Sequence, residues 1–388
     1  MARSHLPAAR KAPTMRILAI ESSCDETGAA VIEHGRITRS NVVASQASIH
    51  ERYGGVVPEV ASRHQLSALI PVVEAALREA SVDWDAIDAI AATYGPGLAG
   101  SLLVGLTGGK ALALARGLPF IGVNHLEAHI YANWLRPQGQ DHGNIPADPD
   151  SDIWPGDPAF PLLALVISGA HSELVSIPRH GRYELLGQTR DDAAGEAFDK
   201  VARVMGLGYP GGPAIQRAAE SRDTTRKNPF RLPRAWLKNT WDFSFSGLKT
   251  AALQLVEGAE QGADAGASRY AREGAAQSAD LSIPDLAAAF QDAVVDVLAT
   301  KTVRAAQSLG VRQVLLAGGV AANIALRERL SHDLEPLGIA LRYPPVALCT
   351  DNAAMIGAAA WFHLRLGERS GLDLDVRPGL QLPFASQA

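Results

Sequence analysis

The sequence predicts an α/β protein made of two related lobes. A plan of buried strand, polar turn and returning strand occurs at 17–32 and again at 161–177. A third strand with its small-residue turn, at 314–323, and a fourth polar turn, at 348–353, each open a predicted helix. Helix N-termini of this kind offer backbone N–H groups to anions. We therefore expect two α/β lobes with a nucleotide held in the cleft between them.

The composition is that of an ordinary globular protein, with 388 residues of which 47% are hydrophobic and 20% charged. There is no apolar run of about 18 residues, and the first fifteen residues lack the apolar core of a signal peptide. These features predict a cytoplasmic protein with no membrane partner. The motifs around Cys24 and Cys349 predict small buried residues rather than a disulfide. The net charge of −5 means that nucleic-acid binding would need a local basic surface.

The chain is predicted to divide into a leader, two lobes, two insertions and a tail. The leader is basic and lacks acids, so we expect it to be flexible, with Met15 as a candidate natural start. The insertions are rich in Pro and Asp or in Gly, Ala, Glu and Gln, which is typical of surface segments. The predicted bounds are 1–15 for the leader, 16–136 and 346–366 for lobe I, 137–160 for the first insertion, 161–345 for lobe II with the second insertion at 256–282, and 367–388 for the tail.

In lobe I, the first hairpin pairs strands at 17–20 and 29–32 across a polar turn at 21–28. The turn carries more acidic and hydroxyl side chains than a connection needs, and these suit phosphate, metal or ribose. A packing helix is predicted at 57–80 and a strand at 87–93. The Gly-rich turn that follows, 95–101, opens a helix to Ala115; it suits either an anion or close packing, and its spacing is not that of a P-loop.

The stretch 122–134 carries two histidines four residues apart. If it is helical, as its apolar periodicity suggests, His125 and His129 lie on one face about 5–6 Å apart at Cβ. Two such imidazoles suit one metal ion, which needs a third ligand from elsewhere in the chain. Glu127 points away from His125, so a zincin-type protease would lack its general base. A pair of surface or capping histidines is the alternative that spacing alone leaves open.

Eight short motifs rich in glycine, acidic and hydroxyl residues follow one another along the chain. They are ESSCDET (21–27), HLEAH (125–129), SGAH (168–171), GEAFDK (195–200), GYPGGP (208–213), FSFSGLK (243–249), GGVAAN (318–323) and CTDN (349–352). Taken in this order, the motifs resemble the signature set of the TsaD family, which transfers threonylcarbamoyl to tRNA. The resemblance runs from about Arg16 to His363, interrupted by the insertions.

The resemblance implies a fold of the actin, sugar-kinase and heat-shock-ATPase type, with two lobes around a nucleotide cleft. It also implies a divalent ion on His125, His129 and Asp351, usually assigned as iron, with zinc as the alternative. Asp25 and Glu26 would lie near the reacting groups. The acyl-adenylate would contact Val166, Ile167, Ser168, Gly169, Ala170, Asp199, Gly212 and Asn323.

At the second hairpin the family pattern is usually Ser-Gly-Gly-His-Thr, whereas this chain has Ser-Gly-Ala-His-Ser at 168–172. The family usually has glycine at position 170, where this chain has alanine. Alanine at a position that needs positive φ costs on the order of 1–2 kcal/mol. We therefore predict that Ala170 has a backbone conformation that alanine tolerates.

The implied reaction moves threonylcarbamoyl from threonylcarbamoyl-AMP to N6 of adenosine 37, in tRNAs that read codons beginning with A, and releases AMP. The metal would act as a Lewis acid, and Asp25 or Glu26 would accept the amine proton or only position substrate. Neither cysteine has an obvious neighbouring base, so covalent catalysis is disfavoured. The resemblance also implies a smaller noncatalytic homologue and an ATPase as partners. A kinase or ATPase of the same fold, or a noncatalytic scaffold, are the competing functions, and neither explains the histidine pair.

A basic segment is predicted to contact tRNA phosphates. Between residues 217 and 238 there are seven Lys or Arg residues and two acids, a surplus of five positive charges. Phe230 and Trp236 in the same segment would offer stacking surfaces. A solvated face is the alternative. The candidate tRNA-binding residues are Arg226, Arg231 and Arg234.

Overall fold

The computed structural model describes residues 14–136, 153–260, 270 and 281–384. Most of the predicted leader, and the larger part of both predicted insertions, lie outside these residues. Among the described residues, no helix is both long enough and apolar enough to cross a membrane.

Two five-stranded sheets form the framework. The first has the order β3-β2-β1-β4-β5, and the second has the order β8-β7-β6-β9-β10. The strands are β1 (Arg16–Glu21), β2 (Glu26–Glu33), β3 (Ile37–Ser45), β4 (Ala89–Gly95), β5 (Phe120–Asn124), β6 (Leu162–Ile167), β7 (Ser172–Arg179), β8 (Arg182–Gln188), β9 (Gln313–Ala317) and β10 (Ala340–Arg342).

The two sheets have one topology. β1 pairs antiparallel with β2 and parallel with β4, and β6 pairs antiparallel with β7 and parallel with β9. Each sheet therefore begins with a three-stranded meander and adds two strands by parallel crossovers. The predicted repeat is confirmed, and so is the α/β fold of two related lobes around a cleft.

The helices cover both sheets because the central strands are apolar on both faces. The α-helices are α1 (Ala47–Glu51), α2 (Pro58–Ala80), α3 (Ala99–Arg116), α4 (His125–Tyr131), α5 (Ala194–Val204), α6 (Gly211–Glu220), α7 (Ser246–Glu260), α8 (Ile283–Leu309), α9 (Ile324–Leu334) and α10 (Ala353–Arg365). Short 3-10 helices occur at Trp84–Ala86, Ala132–Trp134, Gly319–Ala322, Glu335–Leu337 and Val346–Leu348.

Three apolar cores hold the lobes. One lies between the first sheet and α2 and α3, and another between the second sheet and α5 to α9. The third contains residues of both sheets together with α4 and α10. Helix α10 lies close to the first sheet because six of its first eight residues are Ala or Gly; a Cβ on Gly357 would lie 2.6 Å from Ile32.

The structure corrects two sequence predictions. The histidine-bearing helix does not cover 122–134: residues 120–124 form β5, and the helix begins at His125 because the Asn124 side chain accepts hydrogen bonds from two of its first N–H groups. The described end of the first insertion, 153–160, is not all surface. Trp154 is 1% exposed, and Asp157 forms a buried ion pair with Arg36 at 2.6 Å.

Candidate metal centre and nucleotide cleft

The β1–β2 turn is fixed by close packing against α3. The Ser22 hydroxyl donates to the Ser101 carbonyl at 2.7 Å and accepts from the Gly105 N–H at 3.1 Å. A Cβ on Gly105 would lie 2.3 Å from that hydroxyl, and one on Gly97 would lie 2.5 Å from the Ser23 carbonyl oxygen. Close approach of backbone therefore accounts for these glycines, which is one of the two roles that the sequence left open for the Gly-rich turn.

His125 and His129 lie in the first two turns of α4, and Asp351 lies in the turn before α10. The Oδ1 atom of Asp351 is 3.4 Å from Nε2 of His125 and 3.2 Å from Nε2 of His129. One ligand atom from each residue lies within 4.8 Å of the others. Helix α10 begins here because Asn352 caps it, accepting from the Met355 N–H at 3.1 Å.

The donor set fits a divalent ion. Both ring nitrogens of His129 are buried and have no hydrogen-bond partner among the described residues, so the 3.2 Å approach of Asp351 lacks hydrogen-bond alignment. On the other ring, Nδ1 of His125 lies 3.1 Å from Oε2 of Glu21. In the neutral ring that would bind an ion, a carboxylate at Nδ1 keeps the proton on that nitrogen and leaves the Nε2 lone pair for the metal. Two imidazoles and one carboxylate leave coordination positions open and suit iron or zinc.

Opposite charges stabilise this cluster. Burial alone would raise the pKa of Asp351, but attraction to His125 holds it well below its usual range. Burial would likewise lower the pKa of His125, and the carboxylates of Asp351 and Glu21 raise it instead. The carboxylate at position 351 is therefore ionised whenever the protein is folded near neutral pH.

The acids of the β1–β2 turn lie beside the cluster. Asp25 is 6% exposed, and Glu26 accepts a hydrogen bond from the Ser45 hydroxyl at 3.2 Å. Burial, with repulsion from Asp351 and Asp25, raises the pKa of Glu26 to about 9. Burial also raises the pKa of the Cys24 thiol, which makes it a poor nucleophile and supports the prediction against covalent catalysis.

Lobe II contributes the β6–β7 turn. Val166 and Ile167 are fully buried, so only their backbone can contact a ligand. The Ser168 hydroxyl accepts from the N–H groups of Ala170 and His171 at 3.3 and 3.2 Å. Gly169 and Ala170 are exposed. Ala170 is not among the described non-glycine residues with positive φ, which confirms that alanine is tolerated there.

The other predicted substrate residues are partly committed to the fold. Oδ1 of Asp199 accepts from the Gly211 N–H at 2.7 Å, and burial raises the pKa of Asp199. Asn323 caps α9 through the Leu326 N–H and donates to Gln291. Gly212 has no atom within 4 Å of where its Cβ would be. Its backbone therefore faces open space.

The two turns face each other across the cleft. Burial, together with the positive charge of His125 and His129, lowers the pKa of His171 in lobe II to about 4. Burial and the negative charge of Asp25 in lobe I raise the pKa of Tyr209 in lobe II. We infer from these contributions that His171 and Tyr209 of lobe II lie near the candidate metal centre and the acidic turn of lobe I.

The basic segment is less basic in the fold than in the sequence. Helix α8 brings Asp285 to Arg226 and Asp296 to Arg234, the latter at 2.7 Å, so these two candidates already have carboxylate partners. Arg231 is exposed and forms no ion pair with any described residue. Phe230 is 2% exposed and cannot stack on a base, whereas Trp236 is 43% exposed.

Two residues of the site were missed by the sequence analysis. Glu21 was read only as the start of a polar turn, yet its carboxylate accepts from the Thr93 hydroxyl at 2.6 Å and contacts His125. Gln65 was read only as part of a packing helix. An acid ending a buried strand was a usable signal for Glu21, but no local pattern marks Gln65.

The fold and this site define an α/β protein of the actin and sugar-kinase class that carries a histidine and carboxylate centre in its cleft. The model of the family "TsaD: tRNA N6-adenosine threonylcarbamoyltransferase" matches residues 38–147 and 150–358, and the chain belongs to this family.

Relatives named tRNA N6-adenosine threonylcarbamoyltransferase match over nearly their whole length. The protein of Thermomicrobium roseum is 54% identical over 372 residues, covering 95% of this chain and 97% of the relative. That of Symbiobacterium thermophilum is 53% identical over 366 residues, covering 94% and 96%. A full-length HypF structure in the phosphate- and nucleotide-bound form has a TM-score of 0.53 at 13% identity, covering 92% of this chain and 56% of HypF. The HypF likeness shows the fold alone.

Proposed function

We propose that this chain transfers threonylcarbamoyl from threonylcarbamoyl-AMP to N6 of adenosine 37 in tRNAs that read codons beginning with A, releasing AMP. The observation that carries the proposal is the cluster of His125, His129 and Asp351 on the cleft wall of a TsaD-family fold. A kinase or ATPase of the same fold needs no such cluster, and a noncatalytic scaffold has no use for it.

Lobe II is suited to holding the adenylate. The glycines at 169, 212 and 319 leave open space where a Cβ would be, so backbone N–H and carbonyl groups can approach a nucleotide closely. Oδ1 of Asp199 accepts a hydrogen bond from the Gly211 N–H, so Oδ2 is the candidate to accept a hydrogen bond from the nucleoside.

Lobe I is suited to the acyl transfer. A divalent ion on the three ligands, iron in our proposal and zinc as the alternative, would stabilise negative charge on the carbamoyl oxygen or the departing phosphate. Glu26, with a pKa of about 9, is protonated at neutral pH, so we assign proton acceptance from the amine to Asp25. Glu26 then serves as a hydrogen-bond donor. No covalent nucleophile is needed, because the adenylate is already activated.

The decisive experiment supplies preformed threonylcarbamoyl-AMP and unmodified tRNA to the purified chain with its partners. We expect modified nucleoside and AMP in equal amounts, measured by mass spectrometry and chromatography. Asp351→Asn is the matched variant, because it keeps the shape of the side chain and removes one charged ligand. AMP without modified tRNA, together with efficient turnover of a sugar or peptide, would overturn the proposal.

We also propose that a smaller noncatalytic homologue and an ATPase complete the active assembly. Support comes from α2 and α3, which expose Leu66, Ile70 and Leu103 at 71%, 50% and 52%. These apolar side chains on adjacent helices suit a protein partner. The isolated chain should therefore be slow, and Leu66→Glu should weaken partner binding without loss of metal. Full turnover by the chain alone would refute this.

A further inference from the structure

Gln65 joins a surface helix, α2, to the β1–β2 turn. It lies in α2 and is fully buried. Its Nε2 lies 3.3 Å from the carbonyl oxygen of Ser22, 3.0 Å from that of Cys24 and 2.9 Å from that of Glu26. Carbonyl oxygens only accept, so the amide nitrogen must face the turn, and this fixes the orientation of the side chain.

The three acceptors are on alternate residues, and the residues between them carry the chemistry. Asp25 lies between Cys24 and Glu26, so the peptide carbonyls on both sides of the proposed proton acceptor are held by one amide. Ser23 lies between Ser22 and Cys24, and its hydroxyl is 3.2 Å from Nδ1 of His125. The amide of Gln65 therefore restrains the backbone beneath both Asp25 and the neighbour of a metal ligand.

We propose that Gln65 is a positioning residue for the acyl transfer, acting through the backbone of the β1–β2 turn. This inference rests on the proposed function. A buried amide donor keeps the carbonyls turned inward and leaves the Asp25 side chain directed to the cleft. Without it, three carbonyls that are buried or partly buried lack this donor and the turn relaxes, which moves Asp25 relative to the acceptor amine.

A purely stabilising role is the alternative, and Gln46 provides the matched control. Gln46 is also a buried glutamine, 5% exposed. Its Nε2 also donates to a backbone carbonyl, that of Ala61 in α2, at 3.2 Å. It makes no hydrogen bond to the β1–β2 turn among those described. Substitution at either position therefore removes a buried amide donor to a backbone carbonyl. Only the Gln65 amide donates to the β1–β2 turn.

The test compares Gln65→Glu with Gln46→Glu in the assembled enzyme. Gln65→Glu keeps the size of the side chain and replaces the two N–H donors by a carboxyl group, which can donate at most one hydrogen bond to the three carbonyls. We expect kcat to fall about 100-fold, as for a displacement on the order of 1 Å, while KM for threonylcarbamoyl-AMP and metal content stay within about twofold. Gln46→Glu should keep kcat within about threefold even if its Tm falls equally.

A second readout does not depend on activity. Amide hydrogen exchange in 22–26 should be faster in Gln65→Glu than in wild type and unchanged in Gln46→Glu. If Gln65→Glu fails to fold, Gln65→Met, which removes the donor without adding charge, takes its place in both measurements. Equal kcat in the two folded variants, or unchanged exchange in 22–26, overturns the assignment. If the wild type makes no modified tRNA, the proposed function fails. The exchange data then still decide whether Gln65 holds the β1–β2 turn.

Discussion

The two hairpin turns that border the cleft have the same position in the fold and opposite character. Each is four residues long, 22–25 between β1 and β2 and 168–171 between β6 and β7. The first is largely buried, ends in Asp25 and adjoins Glu21 and Glu26. The second has exposed Gly169 and Ala170 and no acid. A repeated backbone plan thus supports charged chemistry in one lobe and an open backbone surface in the other.

The difference arises from what packs behind each turn. The first turn is held by side chains and backbone of α2 and α3, which leave its charged groups directed to the metal centre. The second is held mainly by its own Ser168 and by α5, whose Gly195 N–H donates to the Ser168 carbonyl at 3.1 Å. Loss of charge should therefore impair metal binding and catalysis at the first turn. Added side-chain volume should impair stability and nucleotide binding at the second turn.

The largest effect should come from the metal ligands. We expect the double variant His125→Ala/His129→Ala to lose bound metal and to fall about a thousandfold in kcat, since Lewis-acid stabilisation amounts to several kcal/mol. His171→Ala, in the second turn, is the matched control and should keep its metal. Elemental analysis of anaerobically purified protein checks both. Unchanged metal content in the double variant would show that His125 and His129 are not metal ligands.

The next largest effect should come from one glycine behind the second turn. Gly318 has φ +87, and a Cβ there would lie 2.4 Å from the Ile167 carbonyl oxygen. Gly318→Ala should therefore lower the free energy of unfolding by about 1–3 kcal/mol and weaken nucleotide binding. Gly319→Ala is the control, because its Cβ would meet nothing within 4 Å. Denaturant unfolding that gives equal stability for the two variants would contradict this account.

The two turns should also respond to pH with opposite sign. The pKa of Glu26 is raised from 4.5 to about 9 by burial and neighbouring acids, so the folded state holds a proton that the unfolded state loses. The contribution of Glu26 to the free energy of unfolding is fully present below pH 4.5 and is lost as pH rises towards 9. The pKa of His171 is lowered from 6.5 to about 4, so stability is lost as pH falls from 6.5 to 4.

Two variants separate these contributions. Relative to wild type, Glu26→Gln should gain stability as pH is raised from 5 to 8, and His171→Gln should gain stability as pH is lowered from 6.5 to 4.5. Urea unfolding at each pH measures both differences. The same sign for the two variants would show that the turns do not have the separate electrostatic environments described here.

Much of this arrangement could be predicted from sequence, because it is recorded in local patterns. Strand periodicity and the repeated hairpin predict the two lobes, and the spacing of His125 and His129 predicts two of the three ligands of the candidate metal site. The third ligand, Asp351, is 222 residues beyond His129. It was assigned through the family resemblance, since no spacing rule reaches that far. Gln65 could not be found, because a buried amide in a helix resembles any polar helical residue.

Charge counting along the chain likewise misses partners that are distant in sequence, which bears on the smallest predicted effect. Neither turn carries Lys or Arg, so tRNA phosphates must be bound elsewhere, and the surplus in 217–238 is reduced by Asp285 and Asp296 from α8. Arg231 has no such partner. We therefore expect Arg231→Glu to reduce the slope of log K against log salt for tRNA binding by about one.

Arg226→Glu should behave differently, because it breaks a pair with the fully buried Asp285 and so acts on stability more than on the salt slope. Filter binding over a range of salt concentrations, with thermal unfolding of each variant, distinguishes the two. An unaltered slope in folded Arg231→Glu would exclude this residue from the tRNA surface. An equal fall in slope for both variants would mean that Asp285 does not neutralise Arg226 in the complex. All the basic residues of 217–238 would then have to be counted as candidates for phosphate binding.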